Sequence, residues 1–173
     1  MMTNGPDATR ACIDRDLVAH AQRALARVKA RDGTVVTAES CTAGLIAAVL
    51  SQAEGAGEVL HGSFVTYTKA NKTMALGVDA RLLKHAGSVN ADVARQLAYG
   101  ALDRSPAELA LAVTGVLGPE PDEDGNPVGL VYFACCRRGE EPKIERHDYG
   151  GKSHDVLLRA TVEDALALLG RCA

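Results

Sequence analysis

Thr34-Val35-Val36-Thr37-Ala38-Glu39-Ser40-Cys41-Thr42-Ala43-Gly44-Leu45 is the stretch whose reading decides the fold. The β-branched run over residues 34–38 predicts a short strand. Across a polar break it meets residues 43–50, which carry no charged side chain and predict a helix buried on more than one side. Strand, tight break and apolar helix in that order form the opening of an α/β unit. A serine at such a break places its hydroxyl at the open end of a sheet, beside helix N-terminal N–H groups, which is the geometry a nucleophile and an oxyanion hole require. The same position suits a cap, because Ser and Thr side chains satisfy the free N–H groups of a first helical turn. Local sequence leaves both roles open for Ser40 and offers Thr42 as an alternative cap.

Outward from this unit the pattern keeps alternating. A helix is predicted over residues 14–31, with Leu17, Val18, Ala21, Ala24, Leu25 and Val28 on one face and Asp32-Gly33 as its stop. Gly55-Ala56-Gly57 is read as opening a strand over residues 59–68, followed by short helices over 70–76 and 79–85 and a clearer one over 91–103. Residues 109–113 read as a central strand buried on both faces, ending at Thr114-Gly115. Two further strands, 128–136 and 143–149, fit a hairpin around Gly139, and a last helix is predicted over 155–169, with Leu158, Val162, Ala165, Leu166 and Leu169 turned inward. The sum is an α/β fold, a three-layer α/β/α sandwich on a mixed β-sheet. Residues 1–11 carry Gly5 and Pro6 without apolar periodicity and read as a flexible N-terminal tail, leaving 12–173 as a single domain.

At 173 residues and 47% hydrophobic, the chain is sized for one well-buried core. No apolar run reaches the roughly 20 residues of a membrane helix, and the N-terminus lacks the apolar centre of a signal peptide, so a cytoplasmic protein without a membrane partner is expected. Five cysteines (Cys12, Cys41, Cys135, Cys136, Cys172) with no C-x-x-C spacing support neither a disulfide framework nor a zinc site, and no metal or other cofactor is expected. A net charge of −3, no basic run beyond Arg137-Arg138, and only four Tyr and two Phe with no Trp argue against a nucleic-acid partner. The acidic stretch Glu120-Pro121-Asp122-Glu123-Asp124-Gly125 lacks the ligand alternation of a calcium loop and reads as a solvated turn.

In open α/β sheets ligands sit beyond the carboxyl ends of the strands, so Ser40 and Thr114-Gly115 are expected on one rim. The strand ending at Thr66-Tyr67 is followed by Lys69, Asn71 and Lys72. A lysine desolvated among apolar neighbours loses affinity for its proton and can then deprotonate a serine, while a tyrosine can relay that proton. Lys72 read alone fits a solvated surface lysine better than a buried base, because Lys is among the residues least often buried.

Five linked motifs resemble the CinA carboxy-terminal domain family over about residues 14–169: Thr37 through Leu45; Phe64-Val65-Thr66-Tyr67 through Asn71-Lys72; Leu76-Gly77-Val78; Val113-Thr114-Gly115-Val116 with Gly118-Pro119; and Pro127-Val128-Gly129. The resemblance implies nicotinamide mononucleotide deamidation, an amide hydrolysis giving nicotinate mononucleotide and ammonia in pyridine nucleotide salvage. It implies Ser40 as nucleophile, Lys72 as its base and Tyr67 as an assisting hydroxyl, with Thr42, Gly44, Asn71, Thr114 and Gly115 lining the substrate site. It further implies a small-molecule nucleotide substrate and a homo-oligomer, commonly a dimer. No counterpart of the separate amino-terminal domain of longer relatives is expected in this length.

The chain departs from the family pattern on the substrate side. Ala43 stands for a second glycine, Leu117 for an alanine, Glu120 to Asp124 for a glycine-rich run, and Asn126 for a lysine. His154 and Leu158 stand where two arginines are usual, with Arg159 one residue away, which places His154 at the phosphate side. These changes keep open a non-catalytic member that binds a nucleotide or partner, and a Ser/Lys hydrolase of a different amide.

Overall fold

The computed structural model describes residues 13–173, so the tail expected over 1–11 lies outside the described residues. Helix α1 (Arg15–Lys29) is capped by the Asp14 carboxylate, which accepts from Asp16 N–H, and it buries the stripe Leu17, Ala21, Ala24, Leu25 and Val28. Strand β1 (Val35–Glu39) is buried along its whole length and leads into α2 (Leu45–Ser51), none of whose first six residues is exposed.

Gly55-Ala56-Gly57 opens a single helical turn, α3 (Ala56–Val59), before strand β2 (Leu60–Val65), where a strand from Val59 was expected. The left-handed φ of 75° at Gly55 turns the chain, and Ala56 and Val59, three residues apart, share one buried helical face.

Helices α4 (Lys69–Leu76), α5 (Ala80–Ala86) and α6 (Ala91–Asp103) precede the central strand β3 (Leu109–Gly115). Thr114 and Gly115 are therefore the last residues of that strand. A hairpin, β4 (Leu130–Arg137) and β5 (Lys143–Asp148), then leads to α7 (His154–Cys172). This last helix runs three residues past its expected end, and it turns Leu157 fully inward where Leu158 was expected, leaving Leu158 half-buried at the core's edge.

The strands lie in the order β2-β1-β3-β4-β5. β1 is parallel to β2 and β3, whereas β4 is antiparallel to both β3 and β5, so the sheet is mixed as expected. Its two faces differ in side-chain size. Leu109, Leu111, Val113, Val131 and Phe133 pack with α1, α2 and α7, whereas Ala110, Ala112 and Ala134 meet α6. Methyl-sized side chains let α6 lie close to the sheet. Gly100 carries that closeness further, because a Cβ there would fall 2.0 Å from the Leu76 carbonyl oxygen. Helix α6 therefore presses directly on the last turn of α4 and fixes its position.

This arrangement opens a crevice at one edge of the sheet. After β1 the chain crosses to α2 on the large-residue face, and after β2 it enters α4 on the alanine face. Where connections from neighbouring parallel strands diverge to opposite faces, the strand ends are left uncovered.

Candidate active site

A cavity of about 640 Å³ occupies that crevice and contains Ser40, Cys41, Lys72, Thr114 and Gly115 in its wall. A depression of about 300 Å³ between α1 and α7, lined by His20, Arg23, Arg27 and Glu163, holds no nucleophile paired with a base.

Lys72 is fully buried, with 0% of its surface exposed. Its Nζ lies 2.7 Å from Ser40 Oγ, 2.7 Å from the Thr66 carbonyl and 3.4 Å from the Tyr67 carbonyl. The Thr68 cap starts α4 by accepting from Asn71 N–H, and Lys72 one turn on is thereby aimed back at the end of β1. Among the described residues no carboxylate stands against its ammonium. Burial lowers its pKa from the ordinary 10.5 to about 8, against a smaller upward pull from Cys41. The two carbonyls hold two Nζ hydrogens, so the lone pair of the neutral amine is left facing the Ser40 hydroxyl.

Cys41, beside Ser40 in the same wall, is the competing nucleophile by residue type. Burial pushes its thiol up to about 12, chiefly through desolvation, so it stays protonated at neutral pH. Lys72 contacts Ser40 and makes no hydrogen bond to Cys41.

The N-terminus of α2 is already occupied. The Glu39 side chain, fully buried, turns into the first turn of that helix. Its Oε2 accepts from Thr42 Oγ1 (2.7 Å), Gly44 N–H (3.0 Å) and Ile46 N–H (3.1 Å), and its Oε1 from Ala47 N–H (2.8 Å). Thr37 Oγ1, 3.2 Å from Oε1, adds a hydroxyl from the preceding strand residue on the same face. Thr42 and Gly44, expected to line the substrate site and to offer oxyanion donors, instead hold this carboxylate and lie outside the cavity wall. Ser40 is therefore no cap for α2, and Thr42 caps it only through Glu39. Sequence reading gave Glu39 no role. An acidic residue inside a strand with apolar neighbours, three residues before a threonine and five before a glycine, is the signal that could have found it.

The sharp bend after Ser40 requires two left-handed residues, Ala43 (φ 50°) and Gly44 (φ 97°). That accounts physically for a glycine preference at the position Ala43 occupies.

The other expected residues divide. Thr114 and Gly115 line the cavity, with Thr114 Oγ1 donating to the Ser88 carbonyl at 2.8 Å. His154, first residue of α7, also lines it. Its Nδ1 lies 3.1 Å from the Leu117 carbonyl, which only accepts, so Nδ1 carries the hydrogen and neutral His154 keeps a lone pair on Nε2. Asn71 is elsewhere, its Nδ2 donating to the Val65 carbonyl at 3.1 Å. Tyr67 lies at the cavity mouth with 69% of its surface exposed, and its carbonyl rather than its hydroxyl reaches Lys72. Leu158 packs on the core, and Arg159 pairs with Asp14 and Glu163, so neither faces the cavity.

The acidic stretch read as a solvated turn is a turn, but it also forms cavity wall through Asp122, Glu123 and Asp124. Lys69 at the start of α4 draws it in, with Nζ 2.7 Å from Asp124 and 2.9 Å from Glu123. Among the described residues no cluster of side chains suited to a metal ion occurs, and no helix is long and apolar enough to cross a membrane.

A sequence model of the CinA C-terminal domain matches residues 18–173. A CinA-like protein of Mycolicibacterium vanbaalenii is 39% identical over 138 residues, covering 80% of this chain and 32% of that protein. Protein YdeJ of Escherichia coli K12 is 37% identical over 158 residues, 91% of each chain. The crystal structure of the competence/damage inducible protein CihA from Agrobacterium tumefaciens superimposes with a TM-score of 0.85 at 39% identity, covering 89% of this chain and 93% of that one. The chain thus spans about a third of the length of several CinA-like relatives, and nearly all of YdeJ.

Proposed function

Because the chain belongs to the CinA C-terminal domain family, we propose that its cavity hydrolyses a carboxamide through Ser40 and Lys72, with nicotinamide mononucleotide as the substrate that family membership brings forward. The observation that carries the reading is the 2.7 Å contact between Lys72 Nζ and Ser40 Oγ, made by a lysine that is fully buried and has no carboxylate partner.

In this mechanism neutral Lys72 takes the Ser40 proton as Oγ bonds to the amide carbon. The developing oxyanion needs donors, and α2 offers none beyond those Glu39 holds. The Cys41 N–H, directly after the nucleophile in a residue of the cavity wall, bonds to no oxygen among the described residues and takes that role. As the C–N bond breaks, the Lys72 ammonium returns its proton to the leaving nitrogen, which departs as ammonia. Water then attacks the Ser40 ester with Lys72 again as base, releasing the carboxylate product. Tyr67 is assigned no step, since its hydroxyl makes no hydrogen bond to Ser40 or Lys72, which its carbonyl reaches instead.

Ser40→Ala tests the nucleophile. Ammonia release from nicotinamide mononucleotide should fall to background while the melting temperature stays close to that of the parent, because Ser40 caps no helix. Undiminished turnover in the folded variant would remove the assignment.

A further inference from the structure

The charge on the cavity rim bears on which amide fits. Apart from Lys72, which belongs to the reaction, Lys69 is the only lysine or arginine among the described residues lining the cavity. Its ammonium is already held by Asp124 Oδ1 at 2.7 Å and Glu123 Oε1 at 2.9 Å. Asp124 is itself fixed, its Oδ2 accepting from Ser88 N–H at 3.3 Å. Asp122 adds a third carboxylate to the wall, tied internally to the N–H groups of Asp124 and Asn126. Neutral His154, its Nδ1 hydrogen given to the Leu117 carbonyl, offers the cavity a lone pair.

Resting on the amidohydrolase reading above, we propose that Lys69, locked by Glu123 and Asp124, makes this site select a carboxamide that carries no phosphate: the dephosphorylated pyridinium nucleoside in preference to its mononucleotide. A phosphate monoester brings nearly two negative charges. To hold it, Lys69 must leave two carboxylates, and those carboxylates then face the incoming anion across the same cavity. The pyridinium ring is cationic in both compounds and meets a wall whose carboxylates outnumber its free cations. The ring and its amide are therefore accommodated freely while the phosphate is held only at a cost. An arginine fork, which would reverse this balance, is absent from the wall because Arg159 is turned toward Asp14 and Glu163.

The test uses Ser40→Ala protein, so that binding is read without turnover, and titrates it with nicotinamide mononucleotide and with nicotinamide riboside at low salt. The riboside should bind at least as tightly as the mononucleotide. Glu123 is 73% exposed, so Glu123→Gln leaves the fold intact while loosening the lock. In the same background it should tighten mononucleotide binding about threefold to tenfold, the scale of one screened surface charge, without tightening the riboside. Mononucleotide binding tenfold or more above the riboside, no response to Glu123→Gln, or no binding of either compound would each overturn the proposal. The amidohydrolase reading is checked apart from it by covalent labelling of Ser40 in the unaltered protein with a small, uncharged serine-directed reagent. Loss of the one reading is thus distinguishable from loss of the other.

Discussion

Glu39 and Lys72 are both fully buried at the same end of the sheet, yet their surroundings differ in kind. Glu39 sits among two hydroxyls and three backbone N–H groups, each within 3.2 Å of an oxygen, all donating to it. Lys72 meets one hydroxyl and two carbonyls and no opposite charge. A buried charge surrounded by fixed donors is a structural anchor, because its hydration has been replaced almost completely. A buried amine left without a counter-charge gives up its proton more readily, and that makes it useful as a base. Ser40 lies between them, its backbone set by the anchored turn and its hydroxyl set by the amine.

The largest effect that separates the two is catalytic. Lys72→Met should lower the rate of amide hydrolysis by about a hundredfold to ten-thousandfold, the usual contribution of a positioned general base. Stability should move the other way. The native state releases the Lys72 proton near pH 8 and the unfolded chain near 10.5, so below about 8 the protein carries the full cost of burying the ammonium, and stability recovers as pH rises between those values. That cost is on the order of 3 kcal/mol. Lys72→Met should therefore be at least as stable as the parent at pH 7, with the difference drifting in the parent's favour above pH 8, as followed by urea unfolding across pH. A variant that is active, or one that is much less stable at pH 7, would break the comparison.

Glu39→Gln should do the reverse. Whichever way the amide is oriented, an NH2 group faces donors that a carboxylate oxygen accepted, and losing acceptors for buried charged-group hydrogen bonds costs about 3 kcal/mol or more. The urea midpoint should fall accordingly. An unchanged midpoint would mean that the α2 N-terminus is satisfied without the carboxylate, and the distinction between anchor and base would lose its first half.

These two residues also show where sequence reading stops. Helix α6 was legible to its exact ends, because thirteen residues of uninterrupted periodicity between Asn90 and Arg104 leave little else possible. The mixed sheet followed from the unbroken apolar run at β3 and the hairpin behind it. The turn α3 was missed because four residues are too few for a period to register. Lys72 was legible only as an alternative to a surface lysine, since its burial depends on α6 pressing α4 inward at Gly100, a contact between segments far apart in sequence. Thr42 and Gly44 were read toward the cavity because the glutamate that engages them carries no sequence mark of which way it turns. The acidic wall was hidden for the same reason: Lys69 and Asp124 meet across 55 positions of chain.

The most direct test of the central claim measures how fast a small, uncharged serine-directed reagent acylates Ser40 as pH is varied from 6 to 10, in the parent and in Lys72→Met. If neutral Lys72 activates Ser40, the parent's rate rises about tenfold per pH unit below the Lys72 pKa, set at about 8 by burial, and levels off above it, while the variant is slow and lacks that titration. Equal rates in the two proteins, or a parent profile flat through pH 8, would contradict the assignment of Lys72 as the base.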